Sequence, residues 1–193
     1  MMMHSTLPCL NSPGLRPDGF LSDDLSAVLE LACRLKAASL AGRTGDRPLA
    51  GKNIALLRLG PGDAEMSVLH RAALDLGARV AHVRLGPPID PGGTQFRHLS
   101  QMLGRLYDAI DCSSLTPAEV RQIEQHAGVP VYDDLEGIDH PAWVLADLMT
   151  LREHGCAIGP DARIDFLGEH AAEHSENHRF ALQAMLLTTM GGT

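Results

Sequence analysis

Four short apolar runs alternate with stretches of helical period, and this alternation limits the fold more than any other feature of the chain. NIALLRL (53–59), ARVAHVRL (78–85), YDAIDC (107–112) and VPVY (129–132) have the length and side chains of buried strands. Ser22 to Leu40 reads as a helix capped by Ser22, with Leu25, Val28, Leu29, Ala32, Leu35 and Lys36 on one face. After the turn Gly60-Pro61-Gly62, Asp63 is a suitable N-cap for a helix running to Leu76, which Gly77 ends. A third helix spans Gln95 to Leu106. A fourth is capped by Thr116, has Pro117 at its first position and ends near Ala127. A fifth begins at Pro141. Strand–helix alternation of this kind predicts an α/β fold: a four-stranded parallel sheet flanked by helices on both faces.

In such sheets ligands bind beyond the carboxyl ends of the strands. Those ends are Gly60–Asp63, Gly86–Gly93, Ser113–Ser114 and Asp133–His140. The formal charge is −8, with 16 Lys and Arg against 24 Asp and Glu intermingled along the chain. A nucleic-acid partner would need clustered cations, so none is expected. Cys9, Cys33, Cys112 and Cys156 form no C-x-x-C pair, which fits reduced, incidental thiols and a cytoplasmic protein. Residues 1–19 lack the basic start and long apolar stretch of a signal peptide and are expected to be a flexible N-terminal tail. No apolar run reaches the length of a membrane span, so no membrane partner is expected.

The stretch HPAWVLADLMTLREH (140–154) resembles a helix of the ornithine/aspartate carbamoyltransferase family, where the pattern is His-Pro-x-Gln followed by Leu-Ala-Asp-Leu. The segments FLSDDLS, ELACRLK, LAGKNIALL, ALDLGARV, LGRLYDAI and HAGVPVYDDL resemble further parts of that family's carbamoyl-phosphate domain, in the same order. The likeness is nearer to the ornithine branch. It implies a carbamoyl-phosphate-domain-like unit over 20–155. It also implies that 156–193 holds a helix that returns onto the same domain, since HSENHRFALQAMLLTTM is similar to the family's last helix. The family's amino-acid-binding domain, which lies between these two parts, is then missing here. Phe180, Leu182, Met185, Leu186 and Met190 would cover a groove between helices.

The same resemblance locates the substrate contacts. Ser-Thr-Arg-Thr-Arg of the family falls on Gly62, Asp63, Ala64, Glu65 and Met66. Each lost arginine–phosphate contact should cost about 1.5–3 kcal/mol. A new like charge at about 4 Å adds repulsion of similar order. Asp63 is expected to cap the helix amides itself. The basic residue lent by a neighbouring subunit falls near Gly92, the arginine after the third strand falls at Ser113, and the Gln of His-Pro-x-Gln falls at Trp143. Only His140 remains, either to polarise a carbonyl or simply to cap its helix. The remnant pocket is therefore Asp63, Ser113, His140 and Trp143, with no catalytic set and no cofactor.

Other patterns carry less. HAAEH (170–174) spells an inverted zinc-protease motif, and His178 extends its spacing to i, i+4, i+8. The expectation is a solvated polar helix face with no metal. Asp133, Asp134, Glu136 and Asp139 read as a solvated acidic loop. Met66, Met102, Met149, Met185 and Met190 read as core or interface filler.

Taken together, the residues and the resemblance lead us to expect a catalytically inactive, ornithine carbamoyltransferase-like protein with a structural or regulatory role. The resemblance implies a homotrimer, or a mixed assembly with a full-length carbamoyltransferase. The alternative is a repurposed small-ligand-binding protein or enzyme that uses the remnant pocket around His140 and Trp143, with the acidic loop, for a cationic or neutral ligand such as a basic amine.

Overall fold

The computed structural model describes residues 22–43, 47–59, 66–86, 93–135, 140–155 and 170–191. Its elements in chain order are α1 (Ser22–Leu40), β1 (Asn53–Leu59), α2 (Val68–Asp75), β2 (Arg79–Leu85), α3 (Thr94–Leu106), β3 (Ala109–Asp111), α4 (Pro117–Ala127), β4 (Val131–Tyr132), α5 (Pro141–Glu153) and α6 (Ala171–Met190). The strands form one parallel sheet in the order β2-β1-β3-β4.

The alternation along β1 sets up two cores, because successive side chains of a strand point to opposite faces. Ile54 and Leu56 face a core shared with α1, α2, α5 and α6. Ala55 and Leu57 face a second core built with Phe96 and Leu103 of α3 and Val120 and Ile123 of α4. Helices α3 and α4 approach each other closely at Gly104, where an added Cβ would stand 1.8 Å from the Ala127 carbonyl oxygen. A side chain there would force the two helices apart.

Several helix boundaries follow from caps. Thr116 and Glu119 form a complete capping box at the start of α4, with Pro117 at its first position. Helix α2 starts later than the sequence suggests. Its N-cap is Ser67, whose hydroxyl accepts the His70 amide at 3.2 Å. Asp63, the expected cap, lies outside the described residues. The Ser67 side chain is short enough to fold back on the first turn of α2.

The C-terminal helix packs back on the domain as expected, but more deeply. Helix α6 lies against α5, α1 and α2. Phe180, Ala181, Leu182, Gln183, Ala184, Met185 and Leu186 are all buried, so this stretch is enclosed on every side. It is part of the core rather than a lid over one groove. The Tyr132 hydroxyl contacts the Thr189 hydroxyl, joining α6 to the sheet. Arg179 pairs with Asp75, and Gln183 Nε2 donates to the same carboxylate at 2.9 Å, joining α6 to α2. Among the methionines, Met149, Met185 and Met190 are buried as expected, whereas Met66 and Met102 are about half exposed, at 51% and 50%, and are not core. No helix among the described residues is long and apolar enough to cross a membrane.

Candidate functional site

The strand order places β1 and β3 side by side at the point where the winding reverses, which is where doubly wound sheets bind ligands. Ser113 follows β3 there. Its hydroxyl donates to Asp111 Oδ1 at 2.5 Å and its amide donates to the same oxygen at 3.1 Å. Both of its polar groups are thus spent on a carboxylate that is itself buried. Across the crevice, Arg58 Nη1 donates to Ser114 Oγ at 3.1 Å. Burial, and then the charge of Asp111, pushes the neighbouring Cys112 thiol far above its ordinary range, which keeps it neutral and unreactive. Reading YDAIDC as a strand hid Asp111. The signal was a charged residue at the carboxyl end of a buried strand.

His140 is the N-cap of α5. Its Nδ1 accepts the Ala142 amide at 3.2 Å, with Pro141 at the first helical position. Burial, with a smaller contribution from the nearby His178 imidazole, lowers its pKa to about 4. It is therefore a neutral ring with one nitrogen already used by the helix.

Trp143, one turn into α5, turns toward α6. Its ring stacks on His178 with centroids 3.8 Å apart and planes 11° apart, and it lies 5.0 Å from the His174 ring. His178 is almost wholly buried, at 1% exposure. Neither of its ring nitrogens makes a hydrogen bond of full geometry. Burial lowers its pKa to about 4, and the Leu135 backbone only partly offsets this. His174 Nε2 sits 2.7 Å from Asp147 Oδ1.

These contacts are rungs of a polar seam between the antiparallel helices α5 and α6. Further along it, Asn177 donates to Thr150 Oγ1 at 2.9 Å and to Glu153 Oε2 at 3.1 Å. Lys36 of α1 donates at 2.8 Å to both Glu153 and the Asn177 side-chain oxygen. The seam ends at His154, whose Nε2 is 2.6 Å from Glu173 Oε2. The expectation of a solvated face for the histidine row is therefore corrected. His170, His174 and His178 face α5, and their exposure falls along the row toward the buried His178. A helix displays an i, i+4, i+8 row whether the row meets water or another helix, so spacing alone could not decide.

Of the remnant pocket, the structure brings His140 and Trp143 together with His178 and places Ser113 on Asp111. Gly62, Asp63, Ala64 and Glu65 lie outside the described residues, as do Gly92, Glu136 and Asp139.

Residues 15–153 match the model of the aspartate/ornithine carbamoyltransferase, carbamoyl-P binding domain. The chain belongs to the aspartate/ornithine carbamoyltransferase family. It is 37% identical over 152 residues to the catabolic ornithine carbamoyltransferase of Burkholderia mallei (strain ATCC 23344), covering 76% of this chain and 43% of that protein. The ornithine carbamoyltransferase of Burkholderia thailandensis E264 shares the fold, with a TM-score of 0.57 at 22% identity over 70% of this chain and 46% of that one. That of Thermus thermophilus gives a TM-score of 0.54 at 29% identity, again over 70% of this chain and 46% of that chain. The carbamoyltransferase domain described here thus spans less than half the length of these relatives.

Proposed function

We propose that this carbamoyltransferase domain has no transferase activity and serves a structural or regulatory role within an oligomer. That oligomer is a homotrimer or a mixed assembly with a full-length carbamoyltransferase. One observation carries the reading. Where the family resemblance calls for an arginine after β3, Ser113 stands, and both its amide and its hydroxyl are committed to buried Asp111. A carboxylate beside the crevice repels a phosphate dianion, and catalysis of acyl transfer from carbamoyl phosphate rests on positioning and charge stabilisation.

Three further points support it. Asp63 and Glu65 stand among the positions of the family's phosphate-binding hydroxyls and arginines. Trp143 replaces the glutamine that would meet the carbamoyl group, and its ring is covered by His178. His140 is held neutral and used as a cap. The same engagement weighs against a repurposed amine pocket, since the Trp143 face that would serve a cation already carries an imidazole.

The reading is tested by titration calorimetry with carbamoyl phosphate at low salt. No binding is expected up to millimolar concentration. A dissociation constant of about 1 mM or tighter, some −4 kcal/mol, would overturn it. The combined substitutions Asp63→Thr, Ala64→Arg and Met66→Arg should restore phosphate affinity without restoring turnover.

A further inference from the structure

At the outer end of the polar seam, three side chains converge that the proposed function does not use. His154 is the C-cap of α5, His170 is the N-cap of α6, and Glu173 lies in the first turn of α6. Each offers one ligand atom, and these atoms all lie within 4.8 Å of one another. His154 Nε2 is 2.6 Å from Glu173 Oε2, and His170 Nδ1 is 3.5 Å from the same oxygen. The two imidazole centroids are 4.0 Å apart with planes 41° apart. His154 and Glu173 are exposed and His170 is partly so.

We propose that His154, His170 and Glu173 bind one divalent transition-metal ion of the zinc or nickel type, which clips the end of α5 to the start of α6. Two imidazoles and one carboxylate form a borderline-soft donor set that suits these ions and not magnesium or calcium. Ligand atoms held about 2.0–2.2 Å from a tetrahedral ion stand roughly 3.4 Å apart. The present separations, 2.6 and 3.5 Å with all three atoms within 4.8 Å, bracket that value. Binding would exchange the His154–Glu173 hydrogen bond for two metal bonds. Water would complete the shell.

The HAAEH spelling suggested His170, Glu173 and His174 as a ligand face. The structure assigns His174 elsewhere, 2.7 Å from Asp147 and against Trp143. Its place beside His170 and Glu173 is taken by His154, 16 residues earlier in sequence than His170. A site assembled from both helices senses whether α6 is docked, because it exists only when the two helix ends meet. The inference does not depend on the absence of transferase activity.

The test is calorimetric titration of untagged protein with zinc or nickel ions in a non-coordinating buffer, alongside melting curves with and without the ion. One ion per chain with a micromolar dissociation constant is expected, with melting raised by several degrees at hundredfold excess of the ion. His154→Ala and His170→Ala should each weaken binding at least tenfold and abolish the melting shift, and Glu173→Gln should weaken it less. Each variant should melt like the parent in chelator, which shows that it still folds. His98→Ala, at an exposed position of α3, should leave binding unchanged. Absence of binding at 100-fold the protein concentration, or equal affinity in His154→Ala or His170→Ala, would overturn the proposal.

Discussion

Truncation after Gly168 should abolish cooperative folding. The removed helix carries Phe180, Leu182, Met185 and Leu186, each at most 2% exposed. Burying four such side chains contributes about 6–12 kcal/mol, as an upper figure because the unfolded chain is already partly compact. A domain of this size has a total stability of only about 5–15 kcal/mol. The loss is compounded on the other side of the contact. Removing α6 exposes apolar surface of α1, α2 and α5, and strips Lys36 and Thr150 of their Asn177 partner. The truncated chain should show a broad thermal transition and bind a hydrophobic dye. A single substitution gives a graded version. Phe180→Ala should cost about 3–5 kcal/mol, lowering the melting temperature by roughly 10 °C. Unchanged melting of the truncated protein would show that α6 is a dispensable appendage.

Acid should destabilise the domain through its buried imidazoles. His140 and His178 titrate near pH 4 in the fold, chiefly because burial penalises the charged ring. In the unfolded chain the same rings titrate near pH 6.5. Between these values the unfolded state binds more protons, so stability rises with pH. No loss is felt above about pH 6.5. As pH falls toward 4 each ring costs about 3 kcal/mol, at roughly 1.4 kcal/mol per pH unit. Denaturant midpoints measured between pH 7.5 and 4.5 should fall accordingly. His178→Phe keeps a ring stacked on Trp143 but cannot titrate, so its midpoint should fall less steeply. Trp143 is the sole tryptophan, and its emission gives a local readout of the same event. Parallel pH curves for parent and variant would show that His178 takes no part.

Much of the fold was legible because its signals are local. β1 and α1 have the expected bounds, and Thr116 and His140 cap the expected helices. Strand alternation requires no knowledge of partners. The errors arise where a partner decides. Helix α2 begins at Val68, later than expected, because the Ser67 side chain beside the apolar face reaches the first-turn amides. The histidines of α6 looked like a wet face because their spacing is indifferent to what they meet. Only the placement of α5 turns Trp143 and Asp147 onto them. Likewise the apolar positions of α6 suggested one contact face, but Ala181, Gln183 and Ala184 are buried too, since three helices surround it. Within the candidate site, the sequence identified Ser113 but not Asp111, whose role depends on the turn that follows β3.

The proposed reading, a family fold without carbamoyl-phosphate binding, gives the domain its use in assembly. Symmetric oligomers bury the same patches on every copy, and such contacts do not require an active site. Light scattering at micromolar concentration, alone and with a co-expressed full-length ornithine carbamoyltransferase, tests this most directly. A mass of about 62 kDa for three chains of 20.7 kDa each, or a mixed complex with the enzyme, is expected. A single species of 20.7 kDa under both conditions would contradict it.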